Sequence, residues 1–305
     1  MKTKEITLPP FLRPGDTVGI CAVARKVTKE EIEPAVRKLE EWGFYVELGQ
    51  HLFGAENQYS GSDEERASDL QAFLDDPSVK AVISARGGYG TMRIIDRLDF
   101  TKFREQPKWI TGYSDITVLH SHIHTNFSIA TMHATMPLNF AKDPFSTETL
   151  REGWCGEPLS YKSIDTVNAE NRSGFAAGQL TGGNLSLLYA LQASASDIDT
   201  DGKILFLEDL DEYLYHIDRM MLSLKRAGKF DGLAGLIVGG MNDMKDNTVP
   251  FGKSAEKIIA EHVREFSFPV CYGFPAGHDV KNYALALGRT IHLDVNGPET
   301  VLTFV

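Results

Sequence analysis

Apolar residues fall along this chain in two alternating patterns: short unbroken runs, and stripes spaced three and four residues apart. Residues 17–23 form a run of the kind a buried parallel strand uses, entered through the turn Pro14-Gly15-Asp16. Behind it Thr28 and Glu31 have capping-box spacing, and Ile32, Val36 and Leu39 continue at helical spacing to Gly43. Pro34 inside that stripe predicts a helix that either starts nearer Glu33 or is kinked in its first turns. Residues 44–48 read as a second strand, and Ser62 with Glu65 caps a helix bearing Ala67, Leu70, Phe73 and Leu74. A third strand at 79–84 breaks into Arg86-Gly87-Gly88-Tyr89-Gly90, with Met92, Ile94, Ile95 and Leu98 implying a helix behind it. After Pro107 comes a fourth apolar run, then Gly112-Tyr113-Ser114, then a stripe of Ile116, Leu119 and Ile123. Four strand-then-helix units in series predict an α/β fold: a mostly parallel sheet, helices on both faces, and ligands at the carboxyl ends of the strands.

Further along, 130–133 is apolar and expected to be buried, and 143–164 loses periodicity while collecting Pro, Gly, Ser and Thr. That stretch predicts a boundary: one domain over 1–150, a linker over 151–165 and a second, smaller domain over 166–305. Gly182-Gly183-Asn184 precedes a helix over 185–193, and a strand over 203–207 ends in Glu208. Tyr213, Ile217, Met220 or Met221, and Leu224 mark a helix; 236–238 a strand; Ala255, Ile258, Ile259, Val263 and Phe266 another helix; 270–273 a strand leading to Gly277-His278. Residues 283–287, 290–295 and 301–305 read as consecutive antiparallel strands, which makes the second part α+β with a β-rich end.

Composition narrows the function. The chain has 305 residues, 42% apolar and 24% charged, enough for two ordinary cores. A net charge of −11 argues against nucleic acid or an anionic membrane surface as the main partner, since both call for a basic face. No apolar stretch approaches the ~20 residues that span a bilayer, and the first ten residues lack the apolar core of a secretory signal. Cys21, Cys155 and Cys271 are odd in number and far apart, so neither disulfides nor a zinc knuckle is expected, and a cytoplasmic setting is the natural reading.

Three polar residues end apolar strands at turns: Ser114, Glu208 and His278. A serine hydroxyl needs an imidazole to take its proton, and a carboxylate fixes the imidazole's tautomer, so the chain offers one candidate for each role. The strand, turn and helix around Ser114 have the order of a nucleophile elbow, although Ile116 stands where Gly-x-Ser-x-Gly has its second glycine. Read blandly, Ser114 caps a helix, Glu208 is a solvated or metal-binding acid in the run 208–212, and His278 is a loop histidine. Gly87-Gly88 could supply an oxyanion-hole amide beside that of Asp115, cradle a phosphate, or simply turn; the usual nucleotide fingerprints are missing. His120 and His124 share a helical face, but Ser121 occupies the glutamate position of His-Glu-x-x-His and His122 points elsewhere, so the cluster reads as structural, like Met220-Met221.

Taken in order, Arg86-Gly87-Gly88-Tyr89-Gly90, Gly112-Tyr113-Ser114-Asp115-Ile116-Thr117, Gly182-Gly183-Asn184-Leu185, residues 204–209 with Ile217-Asp218-Arg219 behind them, and Gly277-His278 closely resemble the LD-carboxypeptidases. These are serine peptidases of the muramoyl-tetrapeptide carboxypeptidase and microcin-immunity type, and the likeness runs from about Pro14 to the C-terminus. The resemblance implies a Ser114-His278-Glu208 triad, an oxyanion hole from the amides of Gly88 and Asp115, and no cofactor or metal. It also implies a flavodoxin-like or class I glutamine-amidotransferase-like first domain, a second domain supplying Glu208 and His278, a muropeptide substrate and a homodimer. Arg86 is the candidate for the substrate carboxylate by its place beside the glycines. Two stretches depart from the family's habit: His133-Ala134-Thr135-Met136-Pro137, where His-Gly-Pro is common, and Val23-Ala24-Arg25, where Pro and Ser are. The competing readings are self-immunity against a peptidyl-nucleotide antibiotic, a non-catalytic sensor of wall peptides, and a metal-dependent hydrolase.

Overall fold

The alternation of strand and helix builds a parallel sheet first. In the computed structural model, which describes residues 5–163, 168–297 and 299–305, β1 (Thr17–Cys21), β2 (Tyr45–Leu48), β3 (Val79–Ser84), β4 (Trp109–Gly112) and β5 (Thr131–His133) lie in the order β2-β1-β3-β4-β5, all parallel. Every residue of β4 and β5 is buried, which is why these strands read as unbroken apolar runs. Both capping boxes form, Thr28 with Glu31 and Ser62 with Glu65. The first of these helices starts at Lys29 and runs through Pro34, so the later start near Glu33 is not adopted.

A second sheet follows, made of β6 (Ser160–Ser163), β7 (Gly174–Asn184), β8 (Ile204–Leu210), β9 (Gly235–Asn242), β10 (Val270–Tyr272), β12 (Thr290–Asn296) and β13 (Glu299–Phe304). Its order is β10-β9-β8-β7-β12-β13-β6, parallel from β10 to β7 and antiparallel from β7 to β6. The whole is a mixed α/β protein. Among the described residues no helix is long and apolar enough to cross a membrane.

At three places the structure goes beyond or corrects the sequence reading. Residues 143–163 are not without regular structure: a helix at Pro144–Cys155, N-capped by Asp143, is followed by β6. Its buried face is built from Ser146, Thr147 and Thr149 as well as Leu150 and Trp154, so hydroxyls interrupt the apolar stripe that would have announced it. Those hydroxyls are used, since Ser146 Oγ accepts the Asn282 amide and Thr149 Oγ1 accepts that of Ala284. Residues 164–165, the end of the expected linker, lie outside the described residues.

The second is β7, an 11-residue strand that no pattern announced, because its Gly- and Ala-rich sequence has little strand propensity. The third is the tail. β12 and β13 form the expected hairpin, but β11 (Leu285–Leu287) crosses to the first sheet and pairs antiparallel with β5. β11 is buried at all three positions, whereas β12 alternates buried and exposed. An all-apolar strand needs two covered faces, and the half-exposed hairpin does not offer them. Two helices also end early, at Ala190 and His262. One contiguous apolar core joins the halves, from Val18, Ile20 and Trp109 to Ile237, Leu285 and Phe304.

Candidate active site

Ser114 sits just beyond the carboxyl end of β4 with φ +64°, a backbone state most L-residues resist. The elbow is compressed on one side by Ile116: a Cβ added to Gly112 would lie 2.7 Å from Ile116 Cγ1, and Gly112 itself has φ +150°. Glycine at the first position of the elbow is therefore required. The second position tolerates isoleucine because its side chain is what fills that space.

Ser114 Oγ and His278 Nε2 are 2.9 Å apart, and His278 Nδ1 is 2.6 Å from Glu208 Oε2. An ionised carboxylate only accepts hydrogen bonds, so Nδ1 carries the imidazole proton and Nε2 is left to accept the Ser114 hydroxyl. Glu208 is fully buried, lies where the β8–β9 register shifts, and by the ordinary alternation of a strand faces His278 while Asp209 faces Asn184 and Ser186. Burial opposes its charge, but the imidazole and their hydrogen bond prevail and hold the carboxyl below the usual range. For His278, burial likewise opposes the cation, and the Glu208 charge and hydrogen bond prevail to raise it. The rings of Tyr113 and His278 meet edge to face with centroids 4.9 Å apart, and the Tyr113 hydroxyl accepts Asn139 Nδ2 at 2.7 Å. Burial pushes the Tyr113 phenol up to about 12.

Around these three the backbone is tied from several elements. A Cβ on Gly87 would lie 2.8 Å from Ser114 Cβ and 2.9 Å from its Oγ, so the glycine loop touches the serine directly. Asp115 is buried, and its Oδ2 accepts both the amide and the hydroxyl of Thr91, at 2.7 and 2.6 Å, which locks the elbow to the end of that loop. Burial raises the Asp115 carboxyl to about 6. Thr117 Oγ1, one turn on, accepts the Asn184 amide at 3.0 Å, so the elbow helix holds the end of β7. Asn184 in turn donates to Asp209, which also accepts the amide and hydroxyl of Ser186. Asn282 Oδ1 accepts the Gly277 amide at 2.9 Å and faces His133 Nε2 at 3.2 Å, bracing the residue before His278.

Sequence reasoning did not single out Tyr113, Asn139, Asn184, Asp209 or Asn282 for these roles. The only signal was adjacency to a motif, which Asn139 and Asn282 lack. Arg86, half-buried, donates from Nη1 to Lys26 O at 3.4 Å. The histidine cluster disperses: His120 Nε2 bonds Gly112 O and His122 Nδ1 bonds Ser196 Oγ, while burial lowers His124 to about 4. The acidic run disperses too, Glu208 to His278, Asp211 to Lys245 and Glu212 to His216. Among the described residues no group of three or more His, Cys, Asp or Glu side chains could share a metal ion.

Two family profiles match the chain, the LD-carboxypeptidase N-terminal domain over residues 18–134 and the LD-carboxypeptidase C-terminal domain over 177–293. A probable murein peptide carboxypeptidase of Bacillus subtilis is 36% identical over 92% of this chain and 89% of its own length. Among solved structures, the muramoyltetrapeptide carboxypeptidase from Oxalobacter formigenes superposes with a TM-score of 0.84 at 26% identity, over 94% of this chain and 98% of that one. The microcin C7 self-immunity protein MccF has the same fold, with a TM-score of 0.86 at 22% identity over 97% and 98% of the two chains. The chain belongs to the LD-carboxypeptidase family and is a carboxypeptidase.

Proposed function

We propose that this enzyme is a serine carboxypeptidase that cleaves the L,D-peptide bond before a C-terminal D-alanine in muropeptides, the murein tetrapeptide reaction of cell-wall recycling. The observation that carries the reading is the unbroken hydrogen-bonded line from Ser114 Oγ through His278 to the buried Glu208. Ser114 attacks the carbonyl carbon of the scissile bond while His278 Nε2 takes its proton. The oxyanion that forms is held by the amides of Gly88 and Asp115, and Glu208 stabilises the imidazolium. His278 then protonates the departing D-alanine nitrogen as the C–N bond breaks, leaving an acyl-Ser114. Water completes the cycle: it gives a proton to His278, adds to the ester, and Ser114 leaves with that proton. Arg86 adds positive charge to the cleft that an anionic peptide enters.

In this reading residues 1–150 and 166–305 are two domains that build the site between them, in a cytoplasmic homodimer. The test is to incubate the enzyme with a muramoyl tetrapeptide and weigh the products. Release of one alanine, with the tripeptide left intact, supports the proposal. Cleavage of a peptidyl-nucleotide with the tetrapeptide untouched would transfer it to self-immunity, and binding without turnover to a sensor.

A further inference from the structure

The two glycines of the loop after β3 face different partners. Gly87 lies against Ser114, while a Cβ on Gly88, which has φ +126°, would fall 2.5 Å from Arg25 Cγ and 3.1 Å from its Nε. Arg25 thus lays its stem across the residue whose amide is assigned to the oxyanion, and glycine at 88 is what makes room for it. The position of Arg25 is fixed by its neighbours. Ala24 O accepts the Ser60 amide at 3.2 Å, the Lys26 amide donates to Gln58 O at 3.1 Å, and Arg25 itself bridges to Tyr59. The buried Arg66 joins this segment to the glycine loop by donating to Val23 O at 2.6 Å and Gly90 O at 3.0 Å.

In a protein with a net charge of −11, the Arg25 guanidinium is exposed and forms no ion pair with any described residue. Arg66, by contrast, is paired with Asp63, and Arg86 is turned onto Lys26 O. A carboxypeptidase must tell a chain end from an internal bond, and the only group unique to the end is the free α-carboxylate. That carboxylate is one residue from the scissile carbonyl, a span of ~3.3–3.6 Å when extended. Arg25 rests its stem on Gly88, the residue whose amide is assigned to that oxyanion, with its Nε 3.1 Å from where a Gly88 Cβ would stand.

We propose that Arg25, at a position where the family commonly has Pro and Ser, binds the free α-carboxylate of the departing amino acid and strengthens this chain's preference for chain ends. The inference rests on the function proposed above. Arg86 draws the anionic peptide into the cleft, and Arg25 closes a charge-assisted, two-pronged contact on its terminus. Lysine at this position keeps the charge and loses the planar fork.

The test compares the tetrapeptide L-Ala-γ-D-Glu-L-Lys-D-Ala with its C-terminal carboxamide, using wild type, Arg25→Ala and Arg25→Lys, each with a thermal melt to show that it is folded. Wild type is expected to prefer the acid by on the order of 10²-fold in kcat/KM, because the amide leaves the guanidinium without its anion. Arg25→Ala should cut that preference about tenfold or more, mainly through KM, and Arg25→Lys should restore part of it. An unchanged acid-to-amide ratio in a folded Arg25→Ala enzyme overturns the inference and leaves the proposed function standing. Failure of wild type to cleave either peptide overturns both.

Discussion

Glu208 and His278 are each buried against their own charge, and each is held ionisable by the other. That pairing has a visible consequence in pH. His278 accepts the serine proton only when neutral, and Glu208 raises its pKa above the ordinary 6.5, so the acid limb of kcat/KM should lie above pH 6.5. In Glu208→Gln the negative charge is gone, the cation loses its support, and the limb should move to lower pH. Turnover at the plateau should fall by about 10²- to 10⁴-fold, from the lost orientation of the ring. A pH–rate profile of the two proteins checks both; a limb that stays put would mean that Glu208 does not act on His278. At this scale much was legible, because Ser114, Glu208 and His278 each end an apolar run at a turn. Their supports were not, since Asn139 and Asn282 act through geometry that no local pattern encodes.

The elbow and the glycine loop are two short elements fitted to one another. Gly87→Ala would drive its methyl into Ser114, 2.8 Å from Cβ, at a position whose φ is not in the left-handed region. Turnover should therefore fall by about 10²-fold while stability changes little, the loss a small displacement of a reacting group brings. Gly112→Ala should behave in the opposite way. Its methyl meets Ile116 and its φ of +150° is strained for any side chain, so unfolding should be easier by roughly 2–4 kcal/mol, read from a denaturant titration. Near-wild-type turnover in the first variant, or stability in the second, would contradict the fit described. Elements whose burial is purely apolar were legible in advance. Those that bury hydroxyls or glycines were not: the helix at Pro144–Cys155 hides its stripe behind Ser146 and Thr149, and β7 offers few β-formers.

For the molecule as a whole, the chain crosses between sheets late, when β11 returns to complete the sheet that carries Ser114. With one core running through both sheets and Asn282 tied to Ser146, the halves should unfold together. Calorimetry should give a single transition; two resolved transitions would show the core to be divided. No sequence pattern could announce the crossover, because three apolar residues fit either sheet until the exposure of each is known. The same crossing brings His278, from the segment before β11, onto Ser114 at the end of β4. Whether those two residues act as one unit is measured most directly by kcat for Ser114→Ala, His278→Ala and the double variant on a muramoyl tetrapeptide. Each single change should cost on the order of 10⁴- to 10⁶-fold, and the double variant should be scarcely worse than either. Independent losses that multiply in the double variant would mean that Ser114 and His278 do not work together, and the proposed mechanism would be wrong.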